Sequence, residues 1–155
     1  MTSSGSGAGR PHGASAVIDT LGMRAHPEGG WYAETWRAAT RDGGRPRSSA
    51  IVYLLAAGER SHWHRVDADE IWQYSAGDPL ELRVWAEGDA AITVHHLGGD
   101  VVGGSAVQAV VPAGTWQAAR PLGAWTLVGC IVTPAFDFTG FELAPAGWEP
   151  PVDPA

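Results

Sequence analysis

The sequence contains one cysteine and no lysine among its 155 residues. A single cysteine, Cys130, excludes an intramolecular disulfide framework and a cluster of thiolate metal ligands. Cys130 lies in the apolar run from Trp125 to Val132, so we expect it to be a small buried core residue. All ten basic residues are arginine, a pattern that we attribute to the base composition of the coding sequence.

Long apolar stretches and positive charge are also scarce. No window approaches the ~18 consecutive apolar residues of a membrane span, and the first residues, MTSSGSGAGRPHGAS, lack the apolar core of a signal peptide. The formal net charge of -7 leaves little to attract a phosphate backbone. We therefore expect a cytoplasmic protein that binds neither membranes nor nucleic acid.

Glycine and proline are plentiful, with 21 and 11 residues, and they divide the chain into three parts. Residues 1–15 are rich in glycine and serine and are predicted to be flexible. Residues 145–155 are rich in proline and are predicted to be irregular. Residues 16–144 are predicted to form a single domain, which is long enough to enclose one core.

Most of this domain is predicted to be β-strands. A helix is predicted over Ala16–Leu21, with Ser15 as its N-cap and Gly22 at its end. After it, short apolar segments alternate with turn-rich loops, a spacing typical of a sandwich or barrel. The predicted strands are Trp31–Ala38, Ser48–Leu55, Ser61–Arg65, Glu70–Ser75, Leu80–Ala86, Ala91–Leu97, Ala106–Val111, Thr115–Arg120 and Trp125–Val132.

Two histidines one residue apart, His62 and His64, are the main candidates for chemistry. Alternate residues of a strand share a face, so both rings are predicted to point into the sheet interior. Glu70 opens the next strand, with Trp72 and Tyr74 on the same face. Two imidazoles and a carboxylate in one cavity favour a metal site or a proton-transfer site.

The stretch from Gly58 to Gly77, GERSHWHRVDADEIWQYSAG, resembles the first motif of the cupin family. Its spacing departs from that motif, because five residues rather than four separate His64 from Glu70. The segment PAGTWQ resembles the second cupin motif, with Gln117 in the position of the last metal-binding histidine. Together with HPEGGWYAETWR, GDPLEL and LVGCIVTPAFDFTGFELA, these segments resemble a group of small single-domain cupins classed as a domain of unknown function.

The resemblance implies an all-β fold, a double-stranded β-helix (jelly roll) forming a cupin barrel, here with a short N-terminal helix. It also implies a homodimer and a cavity for a small-molecule ligand. One divalent metal ion, Fe, Mn, Ni or Zn, is expected with His62, His64, Glu70 and Gln117 as ligands, and a metal-free polar pocket is the alternative. Because an amide is a weaker donor than an imidazole, Gln117 should lower the metal affinity.

The function that we expect is an enzyme that isomerises or epimerises a small oxygenated metabolite, with or without a metal. By resemblance to nucleotide-sugar epimerases, His64 would be the base and Tyr74 or Tyr53 the acid, with Glu70 beside them. The alternatives are a non-catalytic cupin that binds a small molecule and a metal-dependent oxygenase, which Gln117 disfavours. The candidate substrate-binding residues are Glu34, Tyr53, Trp63, Trp72 and Trp116.

Overall fold

The protein, described here by a computed structural model over residues 12–152, consists of two antiparallel β-sheets and one short helix. This is the predicted all-β jelly roll. Most of the predicted flexible segment, residues 1–15, lies outside the described residues, as do the last three residues of the predicted irregular tail. Within the described part, no helix is long and apolar enough to cross a bilayer.

The elements follow one another with short connections, as the glycine- and proline-rich loops predicted. A 3₁₀ turn, Phe138–Gly140, precedes the last strand. The helix and strands are α1 Ala14–Leu21, β1 Arg24–Ala25, β2 Trp31–Arg37, β3 Ser49–Ala56, β4 Ser61–Val66, β5 Asp69–Gly77, β6 Leu80–Trp85, β7 Thr93–Leu97, β8 Gln108–Val111, β9 Trp116–Pro121, β10 Trp125–Thr133 and β11 Phe141–Leu143.

The strand order brings distant parts of the chain together. The first sheet has the order β1-β2-β3-β10-β5-β8, and the second has the order β11-β4-β9-β6-β7. In the first sheet, β10 places Cys130 opposite Trp72. In the second sheet, β9 places Gln117 opposite His64. Residues more than 50 positions apart in the sequence therefore meet between the sheets.

The helix begins two residues earlier than predicted. Gly13, with an extended backbone, is the N-cap, and its carbonyl accepts the first helical hydrogen bonds from Ala16 and Val17. Ser15 therefore lies inside the helix, and its predicted capping role is wrong. The C-terminus agrees with the prediction, because Gly22 has the left-handed conformation (φ 61°) that ends many helices.

The core between the sheets is apolar at one end. Leu55, Leu80, Leu82, Leu97 and Val128 are fully buried there. Burying one such side chain stabilises the fold by about 1.5 to 3 kcal/mol. Toward the other end, buried polar groups replace the aliphatic side chains, and the sheets enclose a cavity.

A second cluster, of tryptophans, lies on the outer face of the second sheet. Trp63, Trp85 and Trp116 form it, and Trp148 from the irregular segment after β11 packs on them. The ring centroids of Trp148 and Trp116 are 4.6 Å apart. Glu149 continues this contact, because its carboxylate accepts a hydrogen bond from the Trp63 indole at 3.1 Å. The C-terminal segment is thus fixed to the sheet.

Replacing Trp148 with alanine should lower the free energy of unfolding by about 2 kcal/mol, less than for a fully buried aromatic residue because Trp148 is only half-buried. Chemical denaturation measures this change. Trp36→Ala is the control, since Trp36 is 50% exposed and should lose much less. Equal losses of unfolding free energy in the two variants would contradict a stabilising contact between Trp148 and the tryptophan cluster.

Candidate functional site

The cavity between the sheets has a volume of about 340 Å³. Its floor carries four buried groups: Glu28, His64, Glu70 and Cys130. Its mouth carries four exposed charged residues, Arg24, Glu34, Arg37 and Asp137. A concave site that combines apolar walls with a few converging polar groups is typical of small-molecule sites.

Glu28 and His64 form a buried ion pair at the centre of the floor. Oε2 of Glu28 lies 2.9 Å from Nε2 of His64, and Nδ1 of His64 lies 2.7 Å from the carbonyl oxygen of His62. Both ring nitrogens therefore face oxygen acceptors, which is the environment of a doubly protonated imidazolium. The Glu28–His64 ion pair therefore places a cation and an anion side by side at the floor of the cavity.

The pKa values of this pair follow from burial and mutual attraction. Burial opposes the charge on His64, but the Glu28 carboxylate and its hydrogen bond, with the Glu70 carboxyl, outweigh it and raise the pKa of His64 to about 9. Burial also opposes the charge on Glu28, yet the attraction of His64 holds the pKa of Glu28 below its usual value. At neutral pH both groups are charged.

Glu70 is held beside the pair by Gln117. Nε2 of Gln117 donates to Oε2 of Glu70 at 2.8 Å, and Oε1 of Gln117 accepts a hydrogen bond from the Trp72 indole at 2.8 Å. Because an indole can only donate, Trp72 fixes which end of the Gln117 amide faces Glu70. Burial raises the pKa of Glu70 to about 7 despite the attraction of His64.

The Glu70→Gln variant should become more stable relative to the wild type as the pH rises. The pKa of Glu70 is raised from 4.5 to about 7 in the folded protein. Ionisation therefore favours the unfolded chain, and the wild type loses stability from pH 4.5 upward until the pH passes 7. Across that range, the difference in the free energy of unfolding between the variant and the wild type should change by about 3 kcal/mol. Urea denaturation at several pH values tests this, and parallel curves would contradict it.

The loop between β1 and β2, residues 26–30, carries Glu28 to the floor. The Glu28 carbonyl accepts a hydrogen bond from the His62 amide at 2.8 Å, and the Tyr53 hydroxyl donates to the Gly29 carbonyl. Gly29 has a φ of 106°, which favours glycine, and a Cβ there would lie 2.1 Å from the Arg60 carbonyl oxygen. The loop can lie so close to β4 only because residue 29 has no side chain.

His26, at the start of the same loop, is a neutral partner of Glu28. Its Nδ1 accepts a hydrogen bond from the Glu28 amide at 3.1 Å, so the ring proton is on Nε2. Burial lowers the pKa of His26, although Glu28 opposes this change. The ring packs edge-on against Tyr32 and Tyr53. The cavity therefore contains one neutral and one charged imidazole.

His62 does not share the face of His64, contrary to the prediction. The pairing of β4 with β9 shifts register between Ser61 and His64, and this irregularity breaks the alternation. The His62 side chain is exposed and lines a groove on the outer side of the second sheet. Only the backbone of His62 reaches the site, through its bonds to Glu28 and His64.

Trp63 and Trp116, predicted to bind substrate, also lie on the outer face. Trp63 directly precedes His64, and Trp116 directly precedes Gln117. Because neighbouring residues of a strand point to opposite faces, both indole rings point away from the cavity. Both rings pack under Trp148 instead. Trp72 does point inward, but it is 1% exposed and supports Gln117.

The remaining predicted residues have separate positions. Tyr74 does not line the cavity, because its hydroxyl donates to the Gly77 carbonyl at 2.6 Å and β5 has an irregularity at Ser75. Tyr53 is buried beneath the loop that carries Glu28. Glu34 lines the mouth and forms an ion pair with Arg37 at 3.0 Å. The structure therefore brings together His64, Glu70 and Gln117, and adds Glu28.

The four predicted metal ligands do not form one coordination set. His62 points outward, and both nitrogens of His64 face oxygen atoms, which leaves no lone pair for a metal. The amide of Gln117 is used by Trp72 and Glu70. Among residues 12–152, no group of three or more His, Cys, Asp or Glu side chains is arranged to hold a metal ion. The side chains as arranged do not fit the predicted metal.

Comparison with known proteins places this chain in a family. A protein from Shewanella oneidensis is 36% identical with a TM-score of 0.80, over 86% of this chain and 85% of that chain. A hypothetical protein from Leishmania major is 32% identical with a TM-score of 0.76, over 84% of this chain and 86% of that chain.

An oxalate decarboxylase from Bacillus subtilis is 12% identical with a TM-score of 0.60, over 81% of this chain and 31% of that chain, and this likeness shows the fold alone. A search of curated proteins found no match. The family described as "Cupin superfamily (DUF985)" matches residues 15–144. The chain belongs to this family of cupins.

Proposed function

We propose that this cupin is an enzyme that moves a proton on a small oxygenated metabolite, in an isomerisation, an epimerisation or a related reaction. The supporting observation is Glu70, a buried carboxyl group with a pKa of about 7 beside the Glu28–His64 ion pair. A general acid or base works best when its pKa is close to the operating pH. Glu70 therefore has the protonation equilibrium that proton transfer requires near neutral pH.

In the proposed step, the Glu70 carboxylate removes a proton from the carbon next to a substrate carbonyl group. The electron pair of that C–H bond moves toward the carbonyl oxygen and gives an enolate. The His64 imidazolium stabilises the enolate charge, because a fixed cation in a cavity sheltered from water acts strongly on a developing charge. Glu70 then returns the proton, and the carbon that receives it decides which isomer forms.

These roles differ from those predicted from the sequence. The base role predicted for His64 does not suit a ring with a pKa of about 9, which already holds its proton near neutral pH. The acid role predicted for Tyr74 or Tyr53 does not suit hydroxyls that donate to Gly77 and Gly29. The proposal therefore assigns proton transfer to Glu70 and charge stabilisation to His64.

The cavity limits the substrate in size and favours an anion. A volume of about 340 Å³ suits a compact metabolite. At the mouth, Arg37 is held by Glu34, whereas Arg24 lies over the Tyr32 ring and makes no ion pair within the part of the chain that the structure describes. An exposed guanidinium without a partner attracts carboxylates, so we expect a substrate with an acid group.

A non-catalytic binding protein is the second candidate. Both nitrogens of His64 and one oxygen of Glu70 already have protein partners. A network in which the polar groups satisfy one another suits recognition without turnover. Small-molecule binding, the homodimer and the cytoplasmic location remain predictions, and light scattering of the purified protein tests the dimer.

The proposal is tested by hydrogen exchange in deuterated water. Small 2-oxo acids, 2-hydroxy acids and ketose sugars are incubated with the wild type, and proton NMR follows the loss of signal next to the carbonyl group. The expected result is exchange in at least one compound, slowed about 10²- to 10⁴-fold by Glu70→Gln. Glu142→Gln is the matched control, because Glu142 is exposed and paired with Arg65 outside the cavity.

The outcomes separate the two candidates. Exchange that Glu70→Gln leaves unchanged would contradict the role of Glu70. Absence of exchange in every compound, combined with a rise in melting temperature when one of them is added, would favour the binding protein.

A further inference from the structure

A second cavity lies on the outer face of the second sheet, on the opposite side from the proposed active site. Its volume is about 570 Å³. Strands β4, β6 and β9 form its floor, and the segment after β11, residues 144–149, forms one wall. Ala118 lies opposite Arg83 in the strand pairing, and its small side chain leaves room above the sheet. We refer to this cavity as the outer groove.

The outer groove has a small excess of positive charge, although the protein carries a net charge of -7. Three of the ten arginines line it, Arg60, Arg83 and Arg120, against two glutamates, Glu81 and Glu149. The exposed imidazole of His62 lies on the same wall as Arg60. A local excess of arginine in an acidic protein indicates attraction of an anion to this place.

The arginines retain hydrogen-bond donors for a ligand. Arg120 is paired with Glu81 at 3.0 Å, and Arg83 reaches Glu149 at only 3.5 Å. Arg60 makes no side-chain hydrogen bond or ion pair within residues 12–152 and is exposed. Each guanidinium has five N–H groups, so these pairs leave most donors unused.

We propose that the outer groove is a second ligand site, which binds a small anion carrying a phosphate group. Planar guanidinium groups donate pairs of parallel hydrogen bonds to phosphate oxygens, and three of these groups line the outer groove. His62 adds a further donor beside Arg60. This site does not depend on the proton transfer proposed for the inner cavity.

The main chain of His62 connects the groove with the inner site. Its N–H donates to the Glu28 carbonyl, and its carbonyl accepts from Nδ1 of His64. A phosphate that contacts the His62 side chain would therefore bind to a residue whose backbone is hydrogen-bonded to both Glu28 and His64. The backbone amide of His62 is thus a local reporter for occupancy of the groove.

Titration of the full chain with inorganic phosphate and pyrophosphate, followed by amide NMR, tests the proposal. The expected result is a saturable shift of the His62 amide, with the dissociation constant raised about tenfold or more by Arg60→Ala. Arg60 suits this test because its side chain has no hydrogen-bond or ion-pair partner to lose among residues 12–152. Arg41→Ala is the charge-matched control, since Arg41 is exposed and does not line the groove.

Arg24→Ala distinguishes the outer groove from the mouth of the inner cavity. Binding weakened by Arg60→Ala and unchanged in Arg24→Ala and Arg41→Ala supports the proposal. Binding weakened by Arg24→Ala alone, equal weakening in all three variants, or no saturable shift with either anion would overturn it. None of these results depends on catalysis, so the proposed function can fail while this proposal holds.

Discussion

Replacing Glu28 with glutamine is expected to lower the free energy of unfolding by about 3 to 5 kcal/mol near neutral pH. The substitution preserves the size of the side chain but removes the carboxylate that faces His64 at 2.9 Å. His64 is 2% exposed, so in the variant its positive charge would be balanced only by Glu70, which raises the pKa of His64 less than Glu28 does. Urea denaturation of the two proteins measures the difference.

The same difference should shrink at high pH. The pKa of His64 is raised from 6.5 to about 9 in the folded protein, because the attraction of Glu28 and Glu70 outweighs the opposing effect of burial. The stabilisation from its proton is therefore complete below pH 6.5 and is lost as the pH rises through 9. Glu142→Gln should change stability by less than about 1 kcal/mol at any pH, because its ion pair is exposed. An effect of Glu28→Gln that is small, or that grows with pH, would contradict the ion pair.

The second large effect is expected for Gly29→Ala. A Cβ at residue 29 would lie 2.1 Å from the backbone carbonyl oxygen of Arg60, and the hydrogen bond from the His62 amide to the Glu28 carbonyl holds the two backbones together at this point. We expect a loss of more than about 4 kcal/mol, or a protein that does not fold. Either result would show that the loop carrying Glu28 depends on this close approach.

Gly58→Ala provides the matched comparison. Gly58 also has a positive φ, of 83°, but a Cβ there would meet nothing within 4 Å. Its cost should be only the strain of a left-handed alanine, about 1 to 2 kcal/mol. Comparable denaturation midpoints for the two variants would show that the backbone contact at Gly29 is relaxed in solution.

Most of the fold could be predicted from the sequence because its strands alternate apolar and polar residues between glycine-rich turns. The strand predicted over Trp31–Ala38 spans Trp31–Arg37, and the one predicted over Ser48–Leu55 spans Ser49–Ala56. Strands β1 and β11 were missed because segments of two and three residues are too short to show a period.

The site was only half predictable. His64, Glu70 and Gln117 lie on strands, where residue order determines which face a side chain occupies. The outward turn of His62 depends on a register shift between β4 and β9, which involves two distant segments and has no signature in one of them.

The positions of Trp63 and Trp116 and the role of Glu28 were missed for different reasons. The outward positions of Trp63 and Trp116 could have been predicted, because each precedes an inward residue on its strand. Glu28 lies in a loop 36 residues before His64, and only the folded chain brings the two together. The sequence feature that pointed to Glu28 was the pair Gly29 and Gly30 after it. Paired glycines indicate an unusual backbone, but they do not indicate which group the carboxylate of Glu28 contacts.

The most direct test of this account is the protonation state of His64, measured by long-range proton–nitrogen NMR of the imidazole rings across the pH range. His64→Gln identifies the resonances. Both ring nitrogens of His64 should remain protonated at neutral pH, and the ring should titrate near pH 9. A neutral His64 ring at pH 7, titrating at or below the ordinary value of about 6.5, would contradict the buried ion pair and the function proposed from it.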